Sequence, residues 1–425
     1  MAAQDFAVAS RVDLMTQVNM KPHKRKLALQ GSDLRGLSRL GVDAILGITN
    51  LVEALHHSIA SAAGIFGKAP PGRTTGFTGG VYRTVRGTTR LAGKAGDVLL
   101  GTLTGPADDN ASTPMREAVI AALNGVWGDH LAESANPLAI PMHFRINGQA
   151  LNLSGANLGS QLPAPSGKIM VLVHGLCMND LQWTRKGHNH GLALAQDLGF
   201  TPVFVQYNSG RHVSQNGREL AGLLEQLVAQ WPVAVEELVI VGHSMGGMVA
   251  RSACYYGGEN QLDWLAYLTK MVFLGVPHHG APLERGGHFV TMLFGLSPYA
   301  APFGRLGRSR SAGITDLRFG NLQDLDWQER DRHAQRHDDR HPTPLPAGVQ
   351  ISMVAATTSD REDKMASKVL GDGLVPLTSA LGEHANPAMA LSVPSRHQLV
   401  VTSANHWDLL SRPDVYAQMR TWLSE

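Results

Sequence analysis

The apolar positions of this chain change period near residue 142. Before it they recur at helical spacing. Ile45, Ile48, Val52, Leu55, Ile59, Ala62 and Phe66 lie three or four positions apart, which places all seven on one stripe of an amphipathic helix. After a Gly/Pro/Thr-rich break over residues 70–80, Val81, Val85, Ala92, Ala95, Leu99 and Leu103 fall on one helical face, with Arg83, Arg86, Arg90 and Lys94 opposite. Thr113 and Pro114 supply an N-cap and a first helical position for a third helix through Val119, Leu123 and Val126.

From Met142 the pattern is that of strands. Met142 to Ile146 and Gln149 to Leu153 flank Asn147-Gly148, which takes the positive φ values of a two-residue turn, so a hairpin is predicted. Apolar runs at residues 169–173, 203–205, 238–241, 271–274 and 351–355 read as buried strands, and helical patterns such as 218–229 and 245–256 separate the first four. This alternation predicts an α/β fold, a mostly parallel sheet with helices on both faces. It stops between Val276 and Ala347, a connection whose length marks a lid or cap over the sheet's carboxyl edge. The expected organisation is a helical N-terminal extension, residues 1–141, and an α/β catalytic unit, residues 142–425, carrying a lid insertion at about 276–347.

Charge narrows the possible partners. The 37 basic and 35 acidic side chains leave a net charge of +2, which removes the electrostatic footprint of a nucleic-acid-binding protein. From Ala54 to Gly96, however, there is no acidic residue. Two readings follow: helices that pack on one face and turn basic groups to water, or peripheral contact of residues 42–103 with an anionic lipid surface, where each Lys or Arg contributes about 1 kcal/mol. Cys177 and Cys254 are too few for a disulfide framework and lack zinc-ligand spacing, so they read as buried packing residues in a reducing compartment. With no secretory signal and no apolar run of membrane-spanning length, a cytoplasmic location is expected.

The chemistry centres on Leu238 to Gly247. An apolar run enters Gly242-His243-Ser244-Met245-Gly246 and a helical pattern leaves it, the strand–turn–helix setting of a nucleophile elbow. A serine needs a base and an orienting carboxylate, which in such a sheet follow in the order Ser, Asp, His. Asp372, in Gly371-Asp372-Gly373-Leu374-Val375-Pro376, and His406, in Asn405-His406-Trp407-Asp408, stand where that order requires. Asp360, Glu362 and Asp363 are rivals for the acid, and His384 and His397 for the base.

Together with Val173-His174-Gly175, the Ser379 that follows Asp372, and Gly275-Val276-Pro277-His278-His279-Gly280-Ala281-Pro282, these blocks resemble the α/β-hydrolase superfamily. Within it they resemble the serine lipases and carboxylesterases, including bacterial lipase-like and inositol-deacylase-like relatives. The resemblance implies Ser244 as nucleophile, His406 as general base, Asp372 as its orienting group, and an oxyanion hole made by the backbone N–H groups of Leu176 and Met245. It places His174, Gly175 and His278 beside the substrate, an ester of a hydrophobic acyl group, and it calls for no cofactor. Thioesterases, intracellular polyester depolymerases and acyltransferases share this machinery. A reading from another class is a lipid-surface or granule-binding protein whose hydrolase activity is secondary. Asp408 aligns with a calcium position of some secreted lipases, but no second calcium-site acid accompanies it. His333 and His337, with Asp338, Asp339 and His341 nearby, have a metal-like spacing within what reads as a solvated loop, and no metal is expected.

Overall fold

The computed structural model describes residues 32–43, 46, 76–103, 113–162, 164–281, 311–330, 338–360 and 371–425. Among them, eight strands form one sheet: β1 (His143–Ile146), β2 (Gln149–Ala150), β3 (Lys168–Val173), β4 (Thr201–Gln206), β5 (Glu237–His243), β6 (Leu268–Leu274), β7 (Gln350–Ala356) and β8 (Gln398–Val401). They lie in the order β2-β1-β4-β3-β5-β6-β7-β8. β1 runs antiparallel to β2 and β4, and all other pairs are parallel. The helices are α1 (32–43), α2 (Gly76–Leu103), α3 (Pro114–Glu133), α4 (Gly155–Gln161), α5 (His190–Leu198), α6 (Val213–Gln230), α7 (Met245–Glu259), α8 (Ala312–Phe319), α9 (Leu377–Ala380) and α10 (Pro413–Ser424).

The two central strands show why this sequence makes this sheet. Parallel strands are covered on both faces, so they require unbroken apolar runs. Residues 169–173 of β3 and 238–241 of β5 are such runs and are fully buried. Each such side chain contributes about 1.5–3 kcal/mol by leaving water. The hairpin forms, with a shorter second arm than expected: β2 has two residues, although Leu151 N–H still reaches Phe144 O at 2.8 Å. β8 departs from the pattern-based expectation altogether. It is a four-residue edge strand paired with β7, too short and too half-buried to leave a run in the sequence.

The helices before β1 are part of this packing. Thr113 caps α3 by accepting the Arg116 N–H at 3.2 Å. Ala122 and Val126 of α3 belong to the same buried cluster as the central strands. Asn124, also buried, donates to Ile120 O and Leu138 O and accepts from Ile140 N–H, so it ties the helix to the segment leading into β1. α1 docks beside it through Arg116, whose Nε and Nη2 each lie 2.7 Å from the buried carboxylate of Asp33. Arg35 and Arg39 of α1 grip Asp97 of α2, and their hydrogen bonds, Arg35's foremost, hold its carboxyl well below the usual range.

The stripe Ile45 to Phe66 lies outside the described residues, apart from residue 46. In α2 the expected split between an apolar inner and a basic outer face does not hold: Arg86 is buried, whereas Val85 is exposed and Leu91 is 70% exposed. Val42 of α1 lies against Gly93 of α2, a position outside the periodic stripe. Of the lid expected over 276–347, residues 282–310 and 331–337 also lie outside the described residues. No helix among the described residues is long and apolar enough to cross a membrane.

Candidate active site

β5 ends in a turn that only small neighbours allow. Ser244 has φ 53 and ψ −127, a strained conformation costing about 1–3 kcal/mol, which places it between the strand and the N-terminus of α7. The strain is held by contact. A Cβ on Gly242 would lie 2.5 Å from Gly247 Cα, and one on Gly246 would overlap Val173 O and approach His174 O to 2.5 Å. The Ser244 N–H donates to Leu274 O at 2.9 Å, locking the turn to the end of β6.

The carboxyl ends of β6, β7 and β8 bring the other two residues to this edge. His406 and Asp372 are both buried, and His406 Nδ1 lies 2.6 Å from Asp372 Oδ2. The other carboxylate oxygen accepts the N–H groups of Leu374 (3.0 Å) and Val375 (2.8 Å), so both faces of the acid are fixed. With Nδ1 engaged, the imidazole's free nitrogen is Nε2. Its ring sits 4.7 Å, centroid to centroid, from that of His243, and a Cβ at Gly275, next to Leu274, would lie 3.0 Å from His406 Cε1. Ser244, His406 and Asp372 therefore share one corner of the sheet. The rivals are elsewhere. His397 Nδ1 lies 3.4 Å from Ser352 Oγ, His384 pairs with Asp338, Asp360 is exposed, and Glu362 and Asp363 lie outside the described residues.

The turn after β3 faces Ser244 from the other side. A Cβ on Gly175 would come within 3.0 Å of Ser244 Cβ, so the backbone passes directly over the serine. Leu176 and Met245 are buried beside it. As the first residue of α7, Met245 has an N–H that the helical ladder does not use and that carries the positive end of the helix dipole. His174 stacks on Tyr207, whose hydroxyl donates to His174 O at 2.7 Å. Burial, aided by the charge of Arg145, lowers its pKa to about 4, and burial likewise holds His243 well below the ordinary histidine value, so both rings are neutral packing groups at pH 7.

His278 turns away from the accessible surface. It is buried, with Nδ1 3.3 Å from Arg251, and burial followed by the Arg251 charge holds it neutral. Its neighbour His279 instead helps line an open cavity of about 850 Å³ with Arg318, Phe319, Thr378, Ser379 and His384. The cysteine thiols are buried and pushed up to about 12 by desolvation, which makes both unreactive packing groups. Asp408 is paired with Lys186 at 2.8 Å. His333 and His337 lie outside the described residues, while Asp338, Asp339 and His341 are bound to Arg340, Arg330 and Asp326. Among the described residues, no cluster of three or more His, Cys, Asp or Glu is placed to hold a metal. Ser209 accepts the Cys177 N–H at 3.0 Å, a role the sequence barely marks. Its only signal there is a polar Asn-Ser-Gly turn after a strand.

A strand order with one antiparallel edge, a strained serine between strand and helix, and an Asp–His pair at the following strand ends define the α/β-hydrolase architecture. The alpha/beta hydrolase family model matches residues 170–419, more than half of the chain, and the protein belongs to that family. Solved structures similar to it include the lipase BlEst2 of Bacillus licheniformis in mature form, 18% identical, with 62% of this chain and 94% of that chain covered and a TM-score of 0.40. Others are Aspergillus fumigatus lipase B (11% identity, 68% and 57% covered, TM-score 0.39) and a thermophilic esterase of Thermogutta terrifontis (17%, 61% and 90%, 0.35). The comparison with curated protein sequences gave no match.

Proposed function

We propose that the protein is a serine hydrolase of carboxylic esters with a hydrophobic acyl group, acting through an acyl-enzyme on Ser244. The observation that carries this reading is the strained Ser244 on the same sheet corner as the 2.6 Å His406–Asp372 pair. His406 Nε2 takes the serine proton as Ser244 Oγ attacks the ester carbonyl. The Leu176 and Met245 N–H groups bind the resulting oxyanion, each worth about 10²–10³ in kcat. The proton then passes to the departing alcohol, and a water deprotonated by His406 releases the acid. The test is a chain-length series of p-nitrophenyl esters, with acyl thioesters as a parallel arm. Ser244→Ala is expected to reduce turnover by about 10⁴-fold or more, and equal turnover by the two proteins would refute the reading. Faster turnover of thioesters than esters would move the assignment to a thioesterase on the same residues.

A second reading concerns residues 42–103 and rests on α2, which exposes Leu91 beside Arg90 and Lys94. An apolar group among cations suits peripheral contact with anionic lipid. Wild type is expected to sediment with phosphatidylserine vesicles at low salt and to lose this when Arg90 and Lys94 are both changed to Glu. Equal partitioning of the two proteins would leave α2 a packing element only.

A further inference from the structure

The turn that carries Leu176 is held from behind by α3. Cys177 sits at φ 59, a left-handed conformation that costs a residue with a Cβ about 1–2 kcal/mol. Its N–H donates to Ser209 Oγ, and its thiol lies 3.8 Å from Ala122 O. Gly125 of α3 stands directly against it: a Cβ there would overlap Cys177 Sγ and come within 2.9 Å of Cys177 Cα.

The same stretch of α3 grips two other segments. Asn208, in the turn after β4, donates to Gly128 O at 2.8 Å, and Gly210 passes too close to Asn124 O for any Cβ. At the start of α8, Ser311 Oγ donates to Gly125 O at 2.7 Å and Ala312 N–H to Asp129 Oδ2 at 2.8 Å. Trp127, at φ −133 and ψ 20, breaks the helical geometry in the middle of these contacts. A helix that merely covered the core would gain about 1 kcal/mol at each of positions 125 and 128 from alanine. This helix gives up that stability at the two places where it meets the turns after β3 and β4.

We infer that residues 122–129 are a positioning element of the hydrolase: through Cys177 they set the Leu176 N–H against Ser244, and they join that turn to the N-terminus of α8. The inference rests on the ester-hydrolase reading, because it requires an oxyanion to be bound. It makes α3 a working part of the site, although α3 lies ahead of the first strand.

The test uses the full chain. Gly125→Ala is expected to lower kcat on p-nitrophenyl esters about 10-fold or more while KM moves less than about 3-fold, since a displaced donor loses transition-state binding and not ground-state binding. Adding Cys177→Gly removes the sulfur that the new methyl group overlaps, together with the left-handed strain, and leaves only the 2.9 Å approach to the residue's Cα, so it is expected to restore part of the lost kcat. A merely structural role predicts a lower Tm, unchanged kcat per folded enzyme and no kinetic rescue, and that result overturns the inference. If Gly125→Ala does not fold, Cys177→Ala carries the test: it removes the sulfur that meets α3 without adding an atom, so a folded protein with kcat lowered at least about 3-fold at similar KM is expected, and an unchanged kcat overturns the inference. Equal turnover by wild type and Ser244→Ala would overturn the ester-hydrolase reading itself, and this inference with it.

Discussion

Asp372→Asn is expected to lower kcat by about 10⁴ while leaving the fold intact. The reason lies in how the carboxylate is held. Oδ1 accepts two backbone N–H groups, from Leu374 and Val375, so an asparagine would keep its carbonyl oxygen there and turn its NH₂ toward His406. His406 Nδ1 would then have to accept, which puts the ring proton on Nε2, the atom that takes the proton of Ser244 in the proposed mechanism. Asparagine has the same shape, so Tm should change little. Ester turnover and thermal unfolding measured on one preparation check both halves. Activity within about 10-fold of wild type would assign the orienting role to another acid.

Acid is expected to destabilise the protein steeply between about pH 6.5 and 4. Burial holds His174 and His190 at about 4, and His243 and His278 well below their ordinary value of 6.5. In the unfolded chain all four titrate near 6.5. Above that pH both states are neutral at these rings and stability does not depend on them. As pH falls below it the unfolded state takes up protons that the folded state refuses, so the free energy of unfolding drops, and the drop continues toward the folded values near 4. Each histidine contributes about 1.4 kcal/mol per pH unit inside that window, against a total stability of about 5–15 kcal/mol. Thermal unfolding from pH 8 to 4 should show a flat Tm above about 7 and a fall below it. His190→Gln, which replaces a ring hydrogen-bonded to Leu409 O, should shallow the slope. A Tm unchanged down to pH 4.5 would mean that these rings are charged in the folded protein.

The parallel strands were legible because their physics is local. A strand covered on both faces must be apolar throughout, and the five runs found by pattern correspond to β3, β4, β5, β6 and β7. The blocks around Ser244, Asp372 and His406 stand out in the sequence because the glycines or neighbours of each serve one local turn. β8 leaves no such signal because an edge strand with one partner needs no buried run: three of its four residues are half-buried and only Val401 is buried. The α2 faces were misjudged because helical periodicity says which residues could be buried together, not which neighbour arrives to bury them. Arg86 is inside and Val85 outside.

The sequence by itself determined the alternation of strands and helices, the strand–turn–helix at Ser244 and the local turns that carry Asp372 and His406, all properties of contiguous residues. Only the tertiary structure decided that Asp372 and not Asp360 reaches His406, that His279 and not His278 lines the open cavity, and that α3 backs the turn carrying Leu176. Those are contacts between segments tens to hundreds of residues apart. They depend on close approach, such as a glycine on one element admitting the sulfur of another, and no period within either segment records them.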